Sequence, residues 1–212
     1  MLFKNRTEAG KQLAQALKHY RGKPGVIFPL PRGGVTLGVE LARSLEMPID
    51  LVIPRKIGHP TNPEYAICAV TETGDPVCNR WEKERVDPEW LHQAIETERR
   101  AARSRRERFL GDKQPLPLEC KTAVIVDDGI ATGLTMRAAI LEIKDRHPAR
   151  IVLAIPVAPA DSVAELEPLV DEVVGLEISD SFLGSVGAYY SDFTQVSDNQ
   201  VVDMLRMLDS GR

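Results

Sequence analysis

The sequence predicts an α/β domain, a twisted parallel sheet with helices on both faces. One observation is a set of short apolar runs rich in β-branched residues: Val26-Ile27-Phe28, Ile49 to Ile53, Ala123-Val124-Ile125-Val126 and Ile151-Val152-Leu153-Ala154-Ile155. Runs of this length, bounded by polar residues, read as strands buried on both faces. The other is the material between them, where apolar residues recur at helical spacing, so strands and helices alternate. With 212 residues, residues 1–212 suffice for one such domain plus a small added lobe.

In chain order, Ala9, Leu13, Ala14 and Leu17 put a helix over 6–19, capped by Asn5 or Thr7 and broken by Gly22 and Pro24-Gly25. The first strand follows, then Pro29-Leu30-Pro31-Arg32-Gly33-Gly34, a glycine turn into a helix over 35–46 that Pro48 ends. After the strand Ile49 to Ile53 come Pro54 and the cations Arg55 and Lys56, at a strand end, where α/β sheets bind ligands. Residues 58–65 are rich in chain breakers and read as a mobile loop, in which His59 and Glu64 are ordinary loop residues. Ala66 to Val70 and Pro76 to Cys78 flank a glycine turn and read as a hairpin. A long helix starts near Asp87, with Pro88 in its first turn. Six arginines fall within residues 99–108; they read as a solvated face paired with Glu96, Glu98 and Glu107 rather than a nucleic-acid stripe, since no aromatics interleave. Beyond the central motif, a helix over 134–146, a strand from Arg150 to Pro156, a short helix near 161–168 and a strand from Glu172 to Leu176 complete the alternation. Residues 178–199 lack clean periodicity, and 198–208 form an amphipathic helix capped by Ser197 or Asp198.

Composition narrows the function. Hydrophobic content is 43%, charged content 27% and net charge −4, values ordinary for a soluble globular protein and without a global pull toward nucleic acid. No apolar run is long enough to span a membrane and the N-terminus has no signal-peptide core, so a cytoplasmic protein is expected. The three cysteines, Cys68, Cys78 and Cys120, are odd in number and lack Cys-x-x-Cys, so no structural disulfide is expected; the four histidines show no metal spacing.

The chain is organised around residues 121–137. Strand Ala123 to Val126 runs into Asp127 and Asp128, then Gly129, Ile130, Ala131, Thr132, Gly133, Leu134 and Thr135, where a helix begins. Free N–H groups at a helix start attract an anion, glycines let the backbone curl around it, and the two threonines add hydroxyl donors. A phosphate alone would be repelled by two carboxylates, which suit sugar hydroxyls or a hydrated Mg²⁺ instead. A ligand with a phosphate at one end and a polyol with metal in the middle satisfies both halves. No Walker triplet, haloacid-dehalogenase-type Asp-x-Asp or Rossmann glycine pattern occurs.

The stretch Val124 to Thr135 resembles the phosphoribosyl-pyrophosphate (PRPP) motif of type I phosphoribosyltransferases: an apolar strand, two acids, and a small-residue loop ending Thr-Gly-x-Thr. The resemblance implies that fold, with a flexible hairpin and loop insertion over 58–118 and a C-terminal hood over 178–199. It implies transfer of the phosphoribosyl group of PRPP to a nitrogenous base with release of pyrophosphate, and Mg²⁺ as cofactor. Asp127 and Asp128 would hold the ribose hydroxyls and the metal, and residues 129–135 the 5′-phosphate. Arg32, Gly33 and Gly34, with Arg55 and Lys56, would receive the pyrophosphate, Arg55 as bidentate donor and Lys56 as point charge. Four of the nine Phe and Tyr residues, Phe182, Tyr189, Tyr190 and Phe193, fall in the hood. Tyr190 and Phe193 are the candidates to stack on the base. The partners implied are PRPP and the base, with a homodimer open and neither membrane nor nucleic acid expected. The family often keeps an acid early in the 5′-phosphate loop; here Gly129, Ile130 and Ala131 stand there, and no general base is assigned. The alternative is a PRPP- or nucleotide-binding regulator without turnover, using the arginine-rich helix for a partner; a third is hydrolysis.

Overall fold

A computed structural model describes residues 3–210. Helix α1 (Arg6–Ala16) is capped by Asn5, whose side chain accepts from the Glu8 N–H. Strand β1 (Gly25–Pro29) leads into α2 (Gly33–Leu45). Strands β2 (Arg55–His59), β3 (Asn62–Val70) and β4 (Val77–Cys78) form a separate antiparallel sheet. The short α3 (Arg80–Lys83) precedes α4 (Pro88–Leu110), capped by Asp87. Then come β5 (Thr122–Val126), α5 (Leu134–Asp145), β6 (Arg150–Pro159), α6 (Ala160–Leu166), β7 (Glu172–Ser179) and α7 (Asp198–Ser210). At α7, Ser197 and Gln200 bond each other's backbone N–H reciprocally.

The main sheet has the order β1-β5-β6-β7, every pair parallel. Alternate strand residues serve two cores, as the two-residue period of a strand requires. Ile27, Val124, Val126 and Val152 pack under α1 and α2; Phe28, Ile125, Leu153 and Ile155 pack against α5 and α6. The predicted architecture therefore holds. No helix among the described residues is long and apolar enough to cross a membrane.

Two sequence expectations change. The run Ile49 to Ile53 lies beside β1 but makes a single bridge, Ile27 to Ile49. Its backbone is drawn away after Asp50, whose buried carboxylate accepts from the Leu51 and Leu116 N–H groups and from Arg106. The breaker-rich residues 58–65 are not irregular: they form the tip of the β2–β3 hairpin, with two register shifts around Gly58 absorbing the mismatch. His59 Nδ1 accepts from the Thr61 N–H across that tip, which gives the histidine a structural task.

Part of the arginine-rich helix is turned inward, although Arg100, Arg103 and Arg108 stay exposed. Arg106 is 9% exposed and bonds the Asp50 carboxylate (2.7 Å) and the Leu51 carbonyl (2.7 Å). Arg99 donates to the Gly74 carbonyl in the β3–β4 turn, and Arg105 and Arg108 pair with Asp198 at the start of α7. The helix ties the hairpin lobe, the main sheet and the last helix together. Of the acids expected to pair within the helix, Glu96 does so with Arg99, whereas Glu98 reaches Arg55. Arg106→Ala leaves Asp50 buried without its main partner and is expected to cost about 3–5 kcal/mol. Exposed Arg100→Ala is expected to stay within about 0.5 kcal/mol of the parent. Urea unfolding of both variants checks the contrast, and equal costs would refute it.

Two carboxylates adjoining this network, Glu72 and Glu142, each keep one buried oxygen without a hydrogen-bond partner. Burial raises the pKa of both; Arg106 opposes it at Glu72 and the Thr71 hydroxyl at Glu142. A raised carboxylate pKa means the folded chain holds protons that the unfolded chain has released. This contribution is present below the ordinary value of 4.5 and is lost as pH rises through the folded values. Glu142→Gln is thus expected to raise the melting temperature at pH 8 by about 2–4 °C, the shift that about 1 kcal/mol produces in a chain of this size. The gain should shrink toward pH 5; a gain independent of pH in melting scans would contradict the assignment.

Candidate active site

The C-terminal ends of β1 and β5, adjacent strands of the sheet, bring two glycine-bearing turns together. Beyond β1, the Leu30 N–H bonds the Val126 carbonyl (2.9 Å), pinning one turn onto the strand that ends in the acids. The Pro31–Arg32 peptide is cis. A Cβ on Gly34 would stand 2.8 Å from the Val126 oxygen and 3.0 Å from Asp127 Oδ1. One on Gly33 would stand 1.9 Å from Asp128 Oδ2. Only glycine allows the loop this close to the acids.

After the acids, Gly133 takes a left-handed conformation (φ 73°) that turns the loop into α5. Neither α2 nor α5 has a side-chain cap at its start, whereas α1, α4 and α7 are capped by Asn5, Asp87 and Ser197. At α5 this leaves first-turn N–H groups without a side-chain acceptor, the arrangement that receives an anion, whereas at α2 the Gly34 and Val35 N–H groups bond the Leu30 and Arg32 carbonyls.

Asp127 Oδ1 accepts from the Asp128 N–H at 2.8 Å. Burial pushes Asp127 well above the usual carboxylate range, and the Asp128 charge adds to it. Burial also raises Asp128, against the Arg6 guanidinium. Two carboxylates this close favour a cation or hydroxyl donors between them. Among the described residues Asp127 has no ion pair, and no group of three or more metal-ligating side chains exists. That donor set fits Mg²⁺, which takes one or two carboxylates and draws its remaining oxygens from water and substrate phosphates.

The other expected residues divide. Lys56, Thr132, Gly133 and Leu134 line one cleft of about 800 Å³ between the phosphate loop and the hairpin lobe, with Tyr65 and Arg137. Arg32 precedes α2 and lies 3.6 Å from Asp198. Arg55 points instead to α4, bonding Glu98 at 2.8 Å. Tyr190 is 3% exposed, packed between Phe3 and Phe193, and its ring has no free face for a base. Its hydroxyl donates to the Asp128 carbonyl at 2.6 Å, so it supports the acid. Phe193 lies under the Arg6 guanidinium, 3.8 Å from its ring centre. Of the hood aromatics, Phe182 borders a cavity, about 470 Å³, shared with Ala131, Asp161, Ser162 and Asp180.

Two features escape a reading of the sequence. Arg6, which bonds Asp128 Oδ2 at 2.6 Å, lies 122 residues away from it and belongs to no motif. A disulfide joins Cys68 to Cys78, contrary to expectation. The odd count leaves Cys120 free, and the pairing follows from the β3–β4 register, which sets Cys68 opposite Cys78.

The glycine turn, the open start of α5 and the acid pair come together at the C-terminal edge of the parallel sheet. Comparison with known proteins gives the family: a phosphoribosyl transferase domain model matches residues 3–192, and the chain belongs to that family. Two provisionally named phosphoribosyl transferases of Mycobacterium tuberculosis, Rv0571c and MT0597, are each 42% identical over 211 residues. The match takes in 96% of this chain and 46% of each relative, so the chain spans about half the length of these curated relatives. The crystal structure of TT1426 from Thermus thermophilus is similar with a TM-score of 0.82 and 38% identity, covering 98% of this chain and 99% of that one. A hypoxanthine phosphoribosyltransferase from Staphylococcus aureus shares the fold at a TM-score of 0.50 and 16% identity, covering 86% and 78%.

The close approach has a stability signature. Gly34→Ala is expected to cost about 1–3 kcal/mol, because its new Cβ meets a fixed backbone carbonyl. Gly33→Ala should cost more, because its Cβ would displace the buried Asp128 carboxylate from its pair with Arg6. Urea unfolding of the pair checks the order, and the reverse order would count against this geometry.

Proposed function

We propose that the protein transfers the 5-phosphoribosyl group of PRPP to a nitrogenous base and releases pyrophosphate, in the cytoplasm. The observation that carries this reading is one pair of carboxylates set between the glycine turn beyond β1 and the open start of α5. Residues 129–135 hold the 5′-phosphate on the N–H groups at the start of α5. The turn at Arg32, Gly33 and Gly34 takes the pyrophosphate, joined by Lys56 from the lobe. Arg55 joins only if its bond to Glu98 opens. Asp127 and Asp128 hold the ribose hydroxyls and stabilise the positive charge that develops on the sugar as the bond to C1′ weakens. Bound Mg²⁺ supplies neutralisation of the leaving pyrophosphate. The chain's share of the catalysis is positioning and electrostatics. In a reducing cytoplasm Cys68 and Cys78 would be held as thiols.

The base enters beside Phe182, where Asp161 and Asp180 rim the cavity. Carboxylates at that rim favour bases bearing amino groups and repel anionic ones. Arg99, Arg105 and Arg106 turn inward and Arg108 is paired with Asp198, which leaves less free charge for a nucleic-acid partner, so the regulator reading gains no support from the helix.

The test is pyrophosphate release from PRPP and Mg²⁺ against a panel of neutral amino-bearing, keto and carboxylate-bearing heterocycles. Base-dependent release is expected, fastest with an amino-bearing base, and at least about 100-fold slower in Asp127→Asn/Asp128→Asn. Tight PRPP binding by calorimetry without release from any base would sink the transferase and leave the regulator. Release without a base would mean hydrolysis.

A further inference from the structure

Arg6 is the first residue of α1, and the N-terminal segment before it is zipped onto the hood. The Phe3 N–H bonds the Tyr189 carbonyl (3.0 Å), the Ser191 N–H bonds the Phe3 carbonyl (2.8 Å), and the Asp192 N–H bonds the Lys4 carbonyl (2.9 Å). The Arg6 side chain then turns inward, 9% exposed. Its Nε reaches Asp128 Oδ2 at 2.6 Å and its Nη1 reaches the Thr194 carbonyl at 2.8 Å. Its guanidinium lies over Phe193 at 3.8 Å. A Cβ on Gly33 would stand 2.9 Å from the same Nε, so the cation also adjoins the turn beyond β1.

One buried cation thus contacts the acid pair, the glycine turn and the hood. Tyr190, packed on Phe193, holds the Asp128 carbonyl, so Asp128 is fixed at both its backbone and its side chain by hood-linked groups. Burying a guanidinium is costly, and an ion pair is weak evidence for stability. Its planar fork, however, fixes direction in a way that a neutral pair or a lysine does not.

We propose that Arg6 is a positioning residue for the transfer reaction. It commits one oxygen of Asp128 and so sets the direction in which that carboxylate aims beside Asp127. It also makes that aim depend on the hood being seated, because the Thr194 and Phe193 contacts lie in the hood. The proposal rests on the transferase reading for its kinetic consequence but not for its geometric one.

The experiment pairs kinetics with structure on Arg6→Gln and Arg6→Lys, using the best base from the panel. In Arg6→Gln, kcat is expected to fall about 100-fold, the size of effect that a misplacement of about 1 Å produces. The KM for PRPP should move much less than kcat does, because Arg6 makes no hydrogen bond to the loop of residues 129–135. Arg6→Lys should recover about tenfold, since the charge beside Asp128 returns while the fork does not. In crystals of Arg6→Gln, the Asp128 carboxylate should leave the place it holds in the parent. A folded Arg6→Gln with kcat within about twofold of the parent would overturn the proposal, as would a loss confined to KM. If Arg6→Gln does not fold, Arg6→Lys decides by the same kcat and KM criteria. If the parent itself turns over no base, the transferase reading fails on its own, and the proposal is then judged by the crystal alone: an unmoved Asp128 overturns it.

Discussion

Asp127 and Asp128 set two negative charges side by side at the end of a buried strand, and much of the neighbouring structure answers that constraint. Burial raises both pKa values, and at Asp127 the neighbouring charge adds to it. Arg6 offsets part of the charge on Asp128. The glycine turn beyond β1 presses against both carboxylates without placing a side chain between them. Tyr190 holds the backbone beneath Asp128. The uncapped helices α2 and α5 supply positive partial charge on either side. These features together leave an acid pair that favours a cation or hydroxyl groups, flanked by the glycine turn beyond β1 and the open start of α5.

How much of this is legible in the sequence depends on distance along the chain. Residues 123–135 show strand, acids, loop and helix start within one contiguous stretch, so local patterning suffices. The parallel sheet is legible for the same reason, since each buried strand announces itself by composition. Arg6 is not legible, because its partner is 122 residues away and a lone arginine at a helix start has no pattern. The Cys68–Cys78 bond is hidden because its logic is register rather than spacing, and the pairing of β3 with β4 fixes that register. The hood aromatics stand out as a group, yet their roles do not, because composition does not reveal which rings pack against protein. Tyr190 supports the acid, and Phe182 lines a cavity.

The arginine-rich helix shows why surface charge in a sequence is a poor guide to surface charge in a fold. Asp50 is 2% exposed and draws Arg106 and Arg146 inward. Asp198 collects Arg32, Arg105 and Arg108 at the start of α7. Asp50 comes from an apolar run that composition assigns to the interior, and Asp198 from a helix start. The arginine stems cover apolar ground while the heads find acids, which long side chains accomplish readily. Arg32 matters most here. As a residue of the glycine turn it adjoins the site, and its 3.6 Å approach to Asp198 ties the position of that turn to the last helix.

The lobe formed by β2, β3 and β4 is tied to α4 by polar contacts as well as by apolar packing. Arg99 bonds carbonyls of the β3–β4 turn, Arg106 approaches Glu72, and the lobe's small apolar core (Ile57, Ile67, Val70, Leu91) is its own and that of α4. Glu72 and Glu142 are incompletely satisfied where lobe and core meet. An interface of that kind holds an orientation through directional bonds, and it gives up less apolar burial when it shifts than a packed core does. Lys56 stands on the lobe, while Thr132 and Gly133 stand on the main body across the 800 Å³ cleft. A small rotation of the lobe about its polar contacts would change the distance between that cation and the phosphate loop while leaving the acid pair, its glycine turn and Arg6 undisturbed. The acid pair, its glycine turn and Arg6 thus belong to the body of the main sheet, and Lys56 to the separate hairpin lobe.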